Sequence, residues 1–175
     1  MTRSLKLDFL FDPEPTEDLM RELIDVWVEV TNADGAVGFV PPVAPDDIAP
    51  ALERALAAVA RGDDHLVVGA SEGKVVGFAF LVGRPSPLFR HWTTVKRLQV
   101  LPELQGQGVG SRFMDAIERF SRELGLEQIH LTVRGETQTE RFYQRHGYEV
   151  VATLPGIIRI SPGKDVDEIY MIKRL

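Results

Sequence analysis

Three glycines alternate in Gln105-Gly106-Gln107-Gly108-Val109-Gly110-Ser111, where an apolar run ends and a helical pattern begins. Glycine costs a helix about 1 kcal/mol relative to alanine. It serves where backbone must approach a partner closely or take unusual dihedrals. A helix N-terminus offers N–H groups without intrahelical acceptors and a partial positive charge. Glycines there remove side chains that would block an anion. The chemistry this spacing points to is binding of a phosphate or pyrophosphate; the alternative is a glycine-rich turn that binds nothing. A P-loop is excluded, because Gly110 is followed by Ser111 and Arg112 rather than by lysine and a hydroxyl residue. A dinucleotide fingerprint is excluded as well, because the third glycine is wrongly spaced and the motif lies past mid-chain.

The rest of the chemistry-bearing inventory is sparse. The chain has no cysteine, which removes disulfides, thiolate metal sites and a covalent thiol intermediate. His65, His91, His130 and His146 are scattered without metal-ligand spacing, and no metal is expected. A net charge of −6 over 175 residues argues against a general nucleic-acid binder. No run approaches the ~20 apolar residues of a membrane span. "MTRSLKLDFLFDPEPTEDL" lacks the apolar core and cleavage site of a signal peptide. The expectation is a cytoplasmic protein with one domain over residues 1–175.

The elements that must position the glycine turn follow from periodicity. "SLKLDFLF" alternates as a strand, stopped by Pro13 and Pro15. Thr16 can cap a helix whose stripe is Leu19, Leu23, Trp27 and Val30. A second helix is expected from near Pro45, with Leu52, Leu56 and Val59 on one face. "DDHLVVGASEGKVVGFAFLVG" reads as two strands about a turn at 71–74, and a third strand runs from about His91 to Leu101. After the glycines, Val109, Phe113, Ile117, Phe120 and Leu124 form the clearest helical stripe, ended by Gly125. "EQIHLTV" is a strand and "ETQTERFYQRHG" a short helix closed by Gly147. "YEVVATL" and "DEIYMIKRL" are two last strands, with "PGIIRISPGKDV" connecting them. The order β-α-α-β-β-β-α-β-α-β-β is a mixed α/β (α+β) layout around one sheet.

With these surroundings, Gln105 to Gly110 fits the Q/R-x-x-G-x-G/A signature, and the chain resembles the GNAT superfamily of N-acetyltransferases. "RLQVLPELQ" resembles that family's fourth strand running into a proline-containing turn. "ERFYQRHGYEVV" resembles its later helix-to-strand segment, with Tyr143 four residues before the pair Gly147-Tyr148. The match is strongest from about Asp64 to Tyr148. "NADGAVGFVPP" and the pair His91-Trp92 suggest a small, bacterial-type branch. The implied fold is a mostly antiparallel central sheet with helices on both faces. The implied reaction passes an acetyl group from acetyl-CoA to a primary amine.

The resemblance further implies that the pyrophosphate sits on N–H groups from Gly106 to Ser111, around Gln105, Gln107 and Val109. The pantetheine arm would pair with backbone of Leu98, Gln99 and Val100 between two splayed strands. An N–H near Val100 would face the developing oxyanion. Tyr143 is the expected proton donor to the departing thiolate, with its neighbour Phe142 on another face. Glu136 stands where the family commonly carries an asparagine contact to coenzyme A.

The base is not legible: neither His91 to Leu101 nor "IHLTV" carries Asp or Glu. His91 is the candidate by its ordinary pKa of about 6.5, with Glu29, Asp34 or a water chain beside it. The acceptor pocket is expected at Trp27, Asn32, Asp34 and Phe39. The leading reading is an acetyltransferase for a small amine or amino-acid-like compound. A protein N-terminus or lysine as acceptor, and a coenzyme A-binding module without turnover, stay open beside it. The edge of the last strands offers a pairing surface, so a homodimer and a monomer both stay open.

Overall fold

The computed structural model describes residues 5–137 and 139–175. Strand β1 occupies Asp8–Phe11, shorter than the alternation of "SLKLDFLF", whose Ser4 lies outside the described residues. Thr16 caps helix α1 (Glu17–Asn32), accepting the Leu19 N–H at 3.2 Å, and Glu17 and Asp18 sit at its positive end. Pro45 opens helix α2 (Pro45–Ala60), where a missing N–H goes unmissed. Strands β2 (Asp64–Ser71), β3 (Lys74–Val82) and β4 (Trp92–Val100) follow. Helix α3 (Val109–Glu123), strand β5 (Gln128–Arg134), helix α4 (Thr139–Arg145) and strands β6 (Glu149–Ser161) and β7 (Lys164–Arg174) complete the order.

The segment 155–166 is not the connection expected from its prolines and glycines. β6 runs through Pro155-Gly156 to Ser161 and turns at Pro162-Gly163. The register shifts between Leu154 and Ile158. Proline is tolerated there because β6 is an edge strand and the irregularity absorbs the lost donor.

The seven strands form one sheet in the order β1-β2-β3-β4-β5-β7-β6, in which β4–β5 is the parallel pair and the other neighbours are antiparallel. α1 and α2 cover one face through Leu23, Trp27, Ile48, Leu52, Phe78 and Phe80. The α3 side packs Phe113, Met114 and Ile117 on Val95, Leu131 and Met171. Each such side chain contributes about 1.5–3 kcal/mol by leaving water.

Two irregularities shape the middle of the sheet. β4 and β5 pair from Trp92–Gln128 to Val95–Leu131 and then part: β4 continues beside β3, and β5 beside β7. A Trp92–His130 stack at 3.9 Å lies at the paired end. Burial pushes His130 below the usual imidazole range, and the nearby Arg84 and His91 add to this. The second irregularity is a bulge in β4: Phe80 faces Lys96 but Phe78 faces Gln99. Arg97 takes φ +56° within it, a conformation that costs a side-chain-bearing residue roughly 1–2 kcal/mol. The bulge resets the alternation. Val95, Leu98 and Val100 all join the α3-side core, while the Arg97 guanidinium lies 4.8 Å from the Trp27 ring on the other face.

Candidate active site

The parting of β4 from β5 opens a cleft of about 1140 Å³ that runs from the N-terminus of α3 to the loop between α1 and α2. Its first part is the glycine turn. Gly106 and Gly108 take φ +72° and +79°, and a Cβ on either would meet nothing within 4 Å. Gly108 is the N-cap of α3, with no side-chain cap. Among the described residues, no N–H from Gly106 to Ser111 donates to a protein acceptor; the first helical bond comes from Arg112 to the Gly108 carbonyl, at 3.2 Å. These donors and the helix dipole form a cradle that fits a pyrophosphate. Arg112 is no part of it, since its guanidinium holds the carbonyls of Leu5 and Leu7 at 2.7 and 3.0 Å. His146 approaches the Ser111 hydroxyl at 3.1 Å.

The second part is the unpaired side of β4. The Leu101 N–H donates to the Val76 carbonyl, and a Cβ on Gly77 would collide with the Gln99 carbonyl, so both groups face β3. The pleat therefore turns the peptide groups of Leu98 and Val100 into the gap. The Val100 carbonyl accepts the Gln105 side chain at 2.9 Å. Gln99 departs from expectation: its backbone serves β3, and it meets the cleft by its side chain. That side chain is 3% exposed, with Nε2 on the Arg97 carbonyl and Oε1 buried without a partner.

The third part is α4. Tyr143 and Phe142 both line the cleft, although adjacent helical positions are expected to diverge. The cleft is broad enough to meet both flanks of the short α4, and Phe142 lies where a Cβ on Gly110 would touch it. Burial pushes the Tyr143 phenol up to about 12. Among the described residues its hydroxyl has no hydrogen-bond partner. Tyr148 is core: it is 2% exposed, its hydroxyl is unpartnered, and burial drives it still higher than Tyr143.

Other candidates fall outside the cleft. His91 is exposed at the start of β4, about 30 Å along the strand from Val100 at ~3.3 Å per residue. An imidazole could serve as a base, but this one lies at the far end of the strand. Trp27 is fully buried, and its Nε1 donates to the Val37 carbonyl at 3.0 Å, so it fixes the α1–α2 loop from beneath. Asn32 clamps the Val43 backbone through bonds of 3.0 and 2.8 Å. Asp34 is exposed at φ +64°. Phe39 does line the cleft. Gln107 is exposed, with Nε2 on the Glu103 carbonyl at 2.6 Å, and Val109 is core at 2% exposure. Glu136 lines a separate cavity of about 150 Å³. Glu29, exposed on α1, has its carboxyl raised by partial burial and then by Glu103. Among the described residues no cluster of His, Asp or Glu could hold a metal ion, and no helix is long and apolar enough to cross a membrane.

Six charged residues of the cleft escape a reading of the sequence, Lys96, Arg97, Arg134, Arg145, Arg159 and Glu168, and two of them bear most on its chemistry. Glu168 on β7 is the carboxylate in its lining, and it accepts the Tyr170 hydroxyl at 2.9 Å. Arg97 is the other. Glu168 and Tyr170 alternate in "DEIY", which puts them on one face of β7. Only the β5–β7 register, Arg134 opposite Glu168, brings that face to the cleft.

The sheet is thus split between two parallel neighbours, with a glycine-capped helix at the mouth of the split. The acetyltransferase (GNAT) domain family matches residues 62–150, just over half of the 175, and the chain belongs to that family. A mycothiol acetyltransferase of Propionibacterium freudenreichii subsp. shermanii is 32% identical over 114 residues, covering 58% of this chain and 33% of that protein. The chain thus spans about a third of the length of that curated relative. The ribosomal-protein-alanine N-acetyltransferase of Brucella melitensis superposes with a TM-score of 0.74 at 21% identity, covering 95% of this chain and 99% of that one. The yncA protein of Salmonella typhimurium, solved with acetyl-CoA, superposes with a TM-score of 0.75 at 18% identity, covering 99% and 95%. At such identities these two likenesses show the fold.

Proposed function

We propose that residues 1–175 act as one acetyltransferase domain that passes the acetyl group of acetyl-CoA to the primary amine of a small molecule by direct attack. The observation that carries this reading is the run of unsatisfied N–H groups from Gly106 to Ser111, opening on the same cleft as the freed peptide groups of Leu98 and Val100. The first set suits the pyrophosphate. The second suits an extended pantetheine arm, with the Val100 N–H available to the oxyanion. The amine nitrogen forms a bond to the acetyl carbon, the C–S bond breaks, and the sulfur leaves toward Tyr143. With no cysteine in the chain, a Cys-acyl intermediate plays no part. The test is coenzyme A release over a panel of primary amines, with the acetylated product identified by mass. Tight binding of acetyl-CoA without turnover of any small amine or peptide would replace this reading with that of a non-catalytic binding module.

In this reading Glu168 takes the proton that the amine must lose, directly or through one water. An amine of pKa about 10 arrives mostly protonated at pH 7. Glu168→Gln is expected to lower kcat about tenfold at pH 7 and less at pH 9, where more free amine is present. Equal rates for mutant and wild type across that range would remove Glu168 from the mechanism.

A homodimer through β6 belongs to the same proposal. β6 is the free edge of the sheet, and no charged residue interrupts Val150 to Ile158. Val150, Val151, Leu154 and Ile157 are exposed along it. An uncharged edge strand invites pairing, and an antiparallel pair of identical edges closes under a two-fold axis. Light scattering is expected to give twice the 19.6 kDa chain mass for wild type and the chain mass for Val151→Lys. A monomeric wild type at micromolar concentration would contradict it.

A further inference from the structure

Five cations, Lys96, Arg97, Arg134, Arg145 and Arg159, line the cleft of a protein whose net charge is −6. Arg159 is neutralised by Asp165, at 2.7 and 2.8 Å. Arg145 lies on α4, the helix whose Phe142 packs beside Gly110 of the phosphate cradle. Arg97 is different. It sits on the opposite face of β4 from Val95, Leu98 and Val100, over the Trp27 ring. A Cβ on Gly38 would lie 3.6 Å from its Nε, so the α1–α2 loop packs against the guanidinium. Among the described residues no carboxylate lies within salt-bridge distance of it, and it donates no hydrogen bond. Its planar fork of N–H donors is thus half-buried, without a protein acceptor, and carried on a strained bulge.

Two further groups line the same cleft. Gln99, whose Nε2 donates to the Arg97 carbonyl at 3.3 Å, carries a buried, unpartnered Oε1, an acceptor suited to an N–H. Glu168 is the carboxylate of the lining. An arginine fork with no anion, an amide oxygen with no donor and one carboxylate together match an amine that also bears an anion.

We propose that the acceptor is a primary amine carrying a carboxylate, an amino-acid-like compound whose carboxylate pairs with Arg97 and whose nitrogen meets Gln99 and Glu168. This rests on the acetyl-transfer reading above. The anion subsite is separate from the phosphate cradle, because the Arg97 side chain and the α3 N-terminus lie on opposite faces of β4. A bidentate guanidinium–carboxylate contact gives both orientation and affinity. It places the amine by a group remote from the reacting carbon.

The test compares matched pairs: the standard amino acids and short ω-amino acids against the same amines without the carboxylate. Each is assayed at saturating acetyl-CoA by coenzyme A release, with product mass as a second readout. For wild type, the carboxylate-bearing member of the best pair is expected to have a kcat/KM about 30-fold higher. In Arg97→Gln that preference is expected to collapse, with acetyl-CoA affinity within about threefold of wild type, and in Arg97→Lys to return in part. A merely structural Arg97, clamping Trp27, would lower activity on both members of a pair alike. The proposal is overturned if the uncharged amines are equal or better substrates, if Arg97→Gln keeps the preference, or if acetyl-CoA binds and no carboxylate-bearing amine is acetylated. Failure of acetyl-CoA to bind at all would instead bring down the acetyl-transfer reading.

Discussion

Tyr143→Phe is expected to bind acetyl-CoA as wild type does and to lose about 100-fold in kcat. Tyr143 lines the cleft where β4 and β5 have parted, and among the described residues its hydroxyl has no hydrogen-bond partner. Burial holds the phenol at about 12, above the ~8.5 of an ordinary thiol. Tyr143 is therefore a weak acid, and in the proposed reaction its part is chiefly to donate a hydrogen bond to the sulfur as charge builds there. For a phenol held away from bulk water such a bond is worth more than it is in water. The substitution removes one oxygen and keeps the ring against Phe142 and Tyr148, whose centroids lie at 5.0 and 5.8 Å. Packing and the acetyl-CoA KM should thus change little. Because the pKa is raised, the donor stays protonated to well beyond pH 10. The pH–rate profile of wild type should accordingly show no alkaline loss below pH 10 attributable to Tyr143. More than a third of wild-type kcat remaining in Tyr143→Phe would exclude this role.

The second large effect is expected at Gly108, where the αL N-cap leaves helix donors open and a side chain would project into open space. Gly108→Glu puts a carboxylate where the pyrophosphate is to sit. Losing two charge-assisted N–H bonds of about 1.5 kcal/mol each weakens acetyl-CoA binding by about 3 kcal/mol, roughly 100-fold. Any side chain at φ +79° also strains the turn by about 1–2 kcal/mol. Gly108→Ala carries that strain without the charge and is the control. It is expected to lower the melting temperature about as much as Gly108→Glu while retaining most of the affinity. If both variants lose binding equally, strain of the turn rather than occupation of the cradle is the cause.

The parts of the site built from consecutive residues are the parts readable in the sequence. The glycine turn is one, because a left-handed N-cap selects glycine and the helical stripe from Val109 marks where it must lie. Thr16, Pro45 and Gly147 mark helix ends for the same local reason. Tyr143 is identified by resemblance rather than by physics; periodicity alone would leave it a packed aromatic. Arg97 and Glu168 depend on long-range register. One needs the β3–β4 bulge to leave its expected face, and the other needs β5 to pair with β7 rather than with β4 beyond Leu131. His91 shows the converse error: a chemically apt side chain at the wrong end of its strand. Trp27 lies on an apolar stripe and proves to be core, and its contribution to the cleft is the loop it holds through Val37. In β6, Pro155-Gly156 has the composition of a turn, and only an edge position lets the strand continue through it.

Binding of acetyl-CoA in this cleft is the first requirement of the proposed reaction. Calorimetric titration of wild type with acetyl-CoA is expected to give one site per chain, a Kd in the micromolar range and displacement by free coenzyme A. Absence of binding at millimolar acetyl-CoA would contradict the assignment of the Gly106–Ser111 cradle, and with it the proposed reaction.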